Sequence, residues 1–276
     1  MLKLNEISLN ESALLEELDA TQMELFVMNE AEEVSKQKSE DGFWKKLKDF
    51  FINIAKKIKE VFSKFMNFFT SAFNKLMGRI KDVEKYALET KARFKNSLKT
   101  PHEMADLDAS NYGKALDRAK SAVSSLKDAS SFESKIKEAN EALVDATKKE
   151  QETVKLSSAN DAVNAVKLAK GNIDYAKKAA AEVKGSAKEV EINSKAGITA
   201  TGKKDKSLAT AHRELCKRSS KLNSTTRRIA SGVIKASNAQ LVGAYVTCKK
   251  IRSEAKQYER GFKKAVRKSD QKIDKL

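Results

Sequence analysis

The chain has 276 residues, and its 55 Lys and Arg residues outnumber the 38 Asp and Glu residues to give a net charge of +17. It contains one Pro, ten Gly and two Cys, so breakers are rare, and alternating β-branched runs are absent. This composition predicts an all-α fold, an elongated bundle of long amphipathic helices with an acidic N-terminal leader. It excludes a disulfide scaffold and a transmembrane helix, which needs about 20 apolar residues in a row.

Residues 1–42 form the acidic leader, in which three Lys face eleven acidic residues. A weak apolar stripe predicts a short helix here, capped by Asn10 or Ser12. Two arrangements remain open. The leader folds back on the basic helix that follows and masks its charge, or it stays solvated as a partly disordered tail. The turn composition of residues 39–42 then ends the leader and caps the next helix.

Residues 43–100 are predicted to form a cationic, Phe-rich amphipathic helix. Eight of the twelve Phe residues and the single Trp lie between positions 43 and 73. The apolar positions recur every three or four residues, which places them on one face. That face needs a cover, which is either the protein's own core, an anionic membrane surface or partner subunits. The candidate membrane or partner face comprises Trp44, Phe51, Ile54, Ile58, Phe62, Phe65, Phe68, Phe69 and Phe73.

Residues 101–190 read as an Ala/Lys-rich helical bundle of zero net charge. The Phe-rich helix is expected to continue to Lys99, and Thr100-Pro101 then restarts the chain, with Pro101 near the N-terminus of the next helix. Further helices are expected from about Asn111, after a cap at Ser130 and Ser131, and from about Ser158, with apolar stripes made mainly of Ala, Val, Leu and Ile. We expect antiparallel helices joined by short connections.

Residues 191–206 form the least helical stretch and are predicted to be a linker. Within it, the run from Gly197 to Lys204 nearly matches the phosphate-binding pattern G-x-x-x-x-G-K-[ST]. Lys204 stands where a hydroxyl residue would hold magnesium, and no convincing strand precedes the run. The sequence therefore predicts a flexible basic loop here, in place of a nucleotide site.

Residues 207–276 are predicted to be a basic helical tail, and residues 202–276 carry 21 basic against six acidic residues. The tail lacks interleaved aromatic residues and any known reading-helix motif, so it is expected to contact nucleic-acid phosphates without sequence preference. A solvated Lys-rich face is the alternative. The candidate nucleic-acid contacts are Lys203, Lys204, Lys206, Arg213, Lys217, Arg218, Arg227, Arg228, Lys249, Lys250, Arg252, Lys263, Lys264, Arg267 and Lys268.

No pattern in the sequence indicates an enzyme. The two histidines, His102 and His212, have no acidic or Cys neighbours at metal-ligand spacing, and the Glu residues lie among Lys at ion-pair spacing. Cys216 and Cys248 form no Cys-x-x-Cys motif, which favours a reducing compartment. We therefore predict no catalytic residue, no cofactor and no metal.

The N-terminal part carries a family resemblance. Residues 10–62 join an acidic helical leader, a Gly42-Phe43-Trp44 junction and a Lys/Phe helix, and Lys/Ala-rich helices follow. This order resembles the internal head and prohead-core structural proteins of large tailed bacteriophages. The resemblance implies a protein carried inside the capsid and, in many members, loss of an acidic leader to a protease that cuts after Glu. Ala31-Glu32-Glu33 fits the small-x-Glu form of such sites, so Glu33 is the candidate processing site, although the same pattern recurs at 87–89 and 187–189.

Together, charge pattern and resemblance predict a non-enzymatic structural protein of a phage virion. It would lie inside the head, contacting DNA phosphates, the capsid shell or other virion proteins, and would be in the host cytoplasm during assembly. The alternative is a membrane-active helical protein, an ejected phage protein or a toxin, that binds anionic bilayers through the Phe-rich helix. Whether the chain forms a homo-oligomer stays open.

Overall fold

The computed structural model describes residues 20–36, 39–95, 97–105, 109–149 and 153–273. In these ranges the elements, in chain order, are α1 (Ala20–Ser35), α2 (Glu40–Arg93), β1 (His102–Ala105), α3 (Ala109–Val123), α4 (Ala129–Lys149), β2 (Thr153–Leu156), α5 (Ala159–Gly202) and α6 (Lys206–Ile273). The all-α prediction is confirmed, and α2 and α6 have 54 and 68 residues. The predicted cap at Asn10 or Ser12 lies outside the described residues.

The chain divides into two compact units, and each unit is assembled from three separate segments. The first comprises residues 1–74, 108–148 and 172–235, and the second comprises residues 75–107, 149–171 and 236–276. The long helices α2, α5 and α6 contribute residues to both units. Neither unit coincides with a contiguous predicted segment, because contacts between helices distant in sequence define the units.

In the first unit, α1 folds back on α2. The Glu33 carboxylate accepts a hydrogen bond of 2.9 Å from Lys46, and the Glu30 carboxylate accepts one of 3.2 Å from Asn53. Position numbers fall along α1 as they rise along α2, so the two helices are antiparallel. The buried face of α1, which includes Val27, joins the same apolar cluster as α2. The fold-back alternative therefore holds for residues 26–34.

The Phe-rich face of α2 is largely covered by the protein itself. Of the nine predicted face residues, five are buried: Phe51, Ile54, Ile58, Phe65 and Phe69. The other four, Trp44, Phe62, Phe68 and Phe73, are partly buried. Small apolar residues of α5 and α6 share the cluster: Ala187, Val190, Ala200, Ala209 and Cys216. For the five buried side chains, the intramolecular cover is confirmed, and a membrane or partner face is wrong.

The predicted linker at 191–206 is wrong over residues 191–202, which continue α5 for three further turns. Only residues 203–205 form a turn. Gly and hydroxyl residues lower helix propensity, but here the buried Ser194 hydroxyl bonds to Val190 O at 2.7 Å within the helix. Gly197 faces Phe51, and a Cβ at Gly197 would lie 2.6 Å from Cε2 of that ring. Tertiary contact therefore fixes the helix that local propensity disfavours.

Helices α3 and α4 complete the first unit as predicted, with one correction at the cap. The Asp128 carboxylate accepts backbone hydrogen bonds from Ser130 and Ser131 at 3.1 and 3.3 Å, so Asp128 is the N-cap of α4 in place of the two serines. The predicted apolar stripe of α4 is buried at Ile136, Ala139, Leu143 and Ala146.

The second unit contains a two-stranded sheet, whose first strand lies where the sequence predicts a helix after Pro101. Strands β1 and β2 pair antiparallel, with His102 opposite Leu156, and α2 ends at Arg93, before the predicted Lys99. Met104 and Leu156 approach α6 at Gly243, where a Cβ would lie 3.4 Å from Leu156 Cδ1 and closer still to the Met104 sulfur. This close packing against α6 stabilises a strand pair that four-residue segments cannot form alone.

A capping box fixes the start of α5. The Ser158 hydroxyl accepts a hydrogen bond from the Asp161 amide at 3.2 Å, and the Asp161 carboxylate accepts bonds from the Ser157 and Ser158 amides, both at 2.9 Å. Burial raises the pKa of Asp161, but these bonds outweigh it and leave the pKa below its ordinary value. The predicted helix start near Ser158 is confirmed.

Candidate nucleic-acid interface

Burial sorts the fifteen predicted nucleic-acid contacts into two classes. Five of them point into structural contacts: Arg213, Lys217, Arg218, Arg227 and Arg252. Nine are exposed: Lys203, Lys204, Lys206, Arg228, Lys249, Lys250, Lys263, Lys264 and Arg267. The side chain of Lys268 lies outside the described residues. Only the exposed class presents charge to a ligand in solution.

Three of the internal cations have partners in the first unit, and for two of them, Arg213 and Lys217, the partner lies on α6 itself. The Glu214 carboxylate accepts a hydrogen bond from Lys217 at 3.0 Å and lies 3.4 Å from Arg213 Nε. Arg218 donates at 2.8 Å to the carbonyl of Leu126, at the end of the turn that follows α3. A phosphate would have to displace these partners, so these three are weaker candidates than the exposed cations, and their role as phosphate contacts stays a prediction.

The two remaining internal arginines are bound more deeply. In the first unit, Arg227 is 3% exposed and its Nε donates to the side-chain oxygen of Asn223 at 3.0 Å. In the second unit, Arg252 stacks on the Tyr86 ring at 3.8 Å and its Nε donates to the Thr90 hydroxyl at 2.8 Å. Sequence spacing indicates the polar flank of a helix correctly but does not show which flank residues a neighbouring helix covers.

The turn between α5 and α6 forms a small basic cluster in the first unit. Lys203, Lys204 and Lys206 are exposed, and Lys204 adopts a left-handed φ of 52° that ends α5. Lys204 Nζ lies 3.9 Å from Asp41, and Lys206 Nζ lies 5.5 Å from the centre of the Phe43 ring. The cluster is therefore exposed, but Asp41 offsets part of its positive charge.

The second unit carries the more concentrated basic surface. Every residue of α6 from 256 to 267 is exposed, and we call this the exposed C-terminal segment. It contains five cations and one acid, Glu259, for a net charge of +4. The cations are Lys256, Arg260, Lys263, Lys264 and Arg267. Arg260 also belongs to the basic series that the sequence shows in the tail, and Lys256 is the one cation of this segment that the sequence analysis did not single out.

The segment also presents an apolar stripe. Tyr258, Phe262 and Val266 are 56%, 72% and 41% exposed. They are four residues apart and share one side of the helix, whereas Arg260 and Arg267 lie near the opposite side. The segment can therefore offer cations to an anionic ligand on one side and apolar surface on the other.

The sites considered for other chemistry are structural. Burial, followed by the nearby charge of Lys250, lowers the pKa of His102. His212 Nδ1 lies 3.1 Å from the side-chain oxygen of Asn193. Burial raises the pKa of the Cys216 thiol to about 12, so the reactive thiolate is scarce at neutral pH. Within the described ranges, no group of three or more His, Cys, Asp or Glu could hold a metal ion.

The candidate processing site lies within α1. Glu33 is exposed, and a hydrogen bond from Lys46 lowers the pKa of its carboxyl group. Proteases bind substrates as extended chains, so cleavage after Glu33 requires α1 to unwind locally.

Comparisons of the chain with protein-family models, with curated proteins and with solved structures find no match. Along the described part of the chain, no helix combines the length and the apolar character that crossing a membrane requires. The distribution of charge and burial is therefore the observation from which a function is inferred.

Proposed function

We propose that the chain is a non-enzymatic structural protein that binds nucleic-acid phosphates without sequence preference. The observation that supports this function is the exposed C-terminal segment, whose five cations are all exposed. Lysine and arginine side chains on an exposed helix can approach successive phosphates of a duplex, and binding then gains from the release of condensed counterions.

The exposed cations at the base of the segment extend this surface within the second unit. Lys249 and Lys250 are exposed one to two turns before Lys256, on the same helix. By contrast Arg252, which lies between Lys250 and Lys256, stacks on Tyr86 and donates a hydrogen bond to Thr90. The proposed interface is therefore a discontinuous set of cations, with Arg252 serving to anchor the helix that carries them.

The proposed setting is the inside of a phage head, together with DNA and other virion proteins. The acidic leader, the Gly42-Phe43-Trp44 junction and the Lys/Phe helix support this proposal through their resemblance to internal head proteins. A protein packaged with DNA needs affinity for phosphates and no sequence preference, and the exposed cations supply the first property. The burial of the Phe-rich face removes the main argument for a membrane partner at α2.

The experiment is a fluorescence-anisotropy titration of the full chain with two labelled DNA duplexes of unrelated sequence, at salt concentrations from 50 to 200 mM. The test variant replaces Lys263, Lys264 and Arg267 by Gln. We expect equal affinity for the two duplexes, and a salt slope that falls by about 2 to 3 in the variant, because each phosphate contact contributes about 0.9 to the slope.

A matched control separates the segment from general charge. Lys177, Lys184 and Lys188 are exposed on α5 in the first unit, and replacing them by Gln removes the same three charges. If the exposed C-terminal segment binds DNA, the control loses far less affinity than the test variant. Equal losses would indicate a nonspecific field effect, and no binding at 50 mM salt would refute the proposed function.

A further inference from the structure

The apolar stripe of α6 continues past the point where the protein covers it. In the second unit the stripe is buried at Cys248 and Ile251, and it then continues with steps of three and four residues through Ala255 to Tyr258. Beyond that point Phe262 is 72% exposed. The same face of one helix is thus core at Cys248 and Ile251 and solvent-exposed from Tyr258 to Val266.

A shallow cavity lies where the covered and uncovered parts of the stripe meet. It has a volume of about 280 Å³, and its apolar walls are formed by Phe94, Ile251, Ala255 and Tyr258. The Lys99 ammonium group lies 5.0 Å from the centre of the Tyr258 ring, so a cation also flanks the apolar surface here. One acid, Glu254, also lines the cavity. The uncovered stripe therefore begins at a concave, largely apolar site bordered by one cation and one acid, and the net positive charge lies further along the exposed C-terminal segment.

Charge decides between the possible covers of this stripe. A second copy of the segment would bring two helices of net charge +4 together, which is unfavourable. A DNA duplex would satisfy the cations but would leave Tyr258 and Phe262 in water, since its outer surface is charged phosphate. An anionic bilayer offers both chemistries, because acidic headgroups lie directly above the acyl chains.

We propose that the exposed C-terminal segment is an interfacial membrane-binding helix, which lies in the surface of an anionic bilayer with Tyr258, Phe262 and Val266 toward the acyl chains. Its cations contact lipid phosphates and carboxylates from the flanks and from the opposite face, where long side chains can reach the headgroups. Tyr258 suits the headgroup boundary, since its ring is apolar and its hydroxyl is polar. This inference uses the same cations as the proposed DNA interface but depends on a different observation, the exposed apolar stripe, and it places membrane binding on α6 in place of α2.

The experiment is co-sedimentation of the full chain with vesicles of phosphatidylcholine alone or with about 30% phosphatidylserine. The test variant is Phe262→Ser, which keeps every charge. Because the Phe262 side chain is 72% exposed, the substitution should leave the fold intact, and a melting curve checks this. We expect binding to anionic vesicles only, and a loss of about tenfold or more in the variant, as expected for removing one buried Phe from the bilayer surface.

The matched control is Leu88→Ser, which removes a 50% exposed leucine of α2 in the same unit, and it should change vesicle binding by less than twofold. A second readout places a single Trp in the stripe through Phe262→Trp combined with Trp44→Phe. Its emission should shift to shorter wavelength with anionic vesicles and should stay unchanged with DNA.

Three results would overturn the inference. The first is equal vesicle binding by the unchanged chain and Phe262→Ser, which would indicate attraction by charge alone. The second is a loss of DNA affinity in Phe262→Ser as large as its loss of vesicle affinity, which would make the stripe part of the DNA interface. The third is DNA binding without vesicle binding, in which case the membrane inference fails while the proposed DNA-binding function stands. If the chain binds vesicles but not DNA, the proposed DNA-binding function fails while the membrane inference stands.

Discussion

Replacing Gly197 by Ala tests the packing of α5 on the Phe-rich helix. Gly197 is buried against Phe51, and an added Cβ would lie 2.6 Å from Cε2 of the ring and closer still to two other ring atoms. Real Cβ atoms essentially never come that close to another heavy atom, so the ring or the helix has to move. We therefore expect Gly197→Ala to destabilise the first unit, although Ala is the better helix former.

The expected magnitude combines two opposing effects. An Ala in a helix interior is favoured over Gly by about 1 kcal/mol. Overpacking a well-filled core costs about 1 to 3 kcal/mol, and the upper part of that range applies because the fully buried Phe51 ring has little room to move. The net loss in the free energy of unfolding is then about 1 to 2 kcal/mol.

The same helix supplies the control. Gly185 is exposed on α5, and a Cβ there would meet nothing within 4 Å. Gly185→Ala should therefore stabilise the first unit by about 0.5 to 1 kcal/mol. Urea denaturation measured by the fluorescence of Trp44 follows this unit, because Trp44 is the single Trp and packs against the cluster that contains Phe51.

Two results would contradict this reasoning. If Gly197→Ala is as stabilising as Gly185→Ala, residues 191–202 do not pack as the structure describes, and the linker prediction regains support. If the clash with the Phe51 ring causes the loss of stability, replacing that ring by a smaller side chain should relieve it. The double variant with Phe51→Leu should therefore lose less stability than the sum of the two single variants, and simple additivity would exclude contact between the two sites.

Three further predictions follow from burial and charge. Phe65→Asp should cost about 4 kcal/mol or more in a urea titration, because Phe65 is 1% exposed, and Phe68→Asp should cost clearly less at its partly buried position; equal effects would contradict the burial pattern. Asp161 has a pKa below its ordinary value, so its contribution is present above about pH 4 and is lost as pH falls through the folded-state pKa. Asp161→Asn should cost about 1 kcal/mol at pH 7 and flatten the stability profile below pH 4, whereas an unchanged profile would refute the capping role. A chain starting at Val34 loses Lys3 and nine acidic residues, which raises the net charge from +17 to +25. It should bind DNA several-fold more tightly at low salt, but it should unfold at a lower urea concentration because it loses the part of α1 that packs on α2. Equal DNA affinity of the two chains would show that the leader masks no charge.

Helical periodicity was sufficient to predict the fold class and the apolar face of α2, but not what covers that face. Apolar residues at three- and four-residue steps define a face whatever covers it, and Ile54, Ile58 and Phe65 are buried accordingly. Composition predicted long helices for the same reason, since a chain with one Pro offers few points at which a helix must stop. Residue spacing and the number of helix breakers are local properties, so they can be read from a single sequence.

Local propensity was insufficient where a distant residue decides the outcome. Gly and Thr made residues 191–202 look like a linker, but the Phe51 ring needs a residue without a Cβ beside it, and Gly197 meets that need inside a helix. Likewise, β1 and β2 form a strand pair because Met104 and Leu156 pack closely against Gly243 on α6. Neither partner is near in sequence, so neither contact has a local signal.

The candidate site shows the same division between pattern and tertiary contact. The sequence determined that α6 is basic on one flank and apolar on the other, because charge and spacing are written in the residues themselves. It could not separate Arg252, held by Tyr86 and Thr90, from the exposed Lys250 two residues earlier. It also could not show that the stripe loses its cover after Ile251. Only the tertiary structure decides these points, because exposure depends on which neighbouring helix reaches each turn of α6.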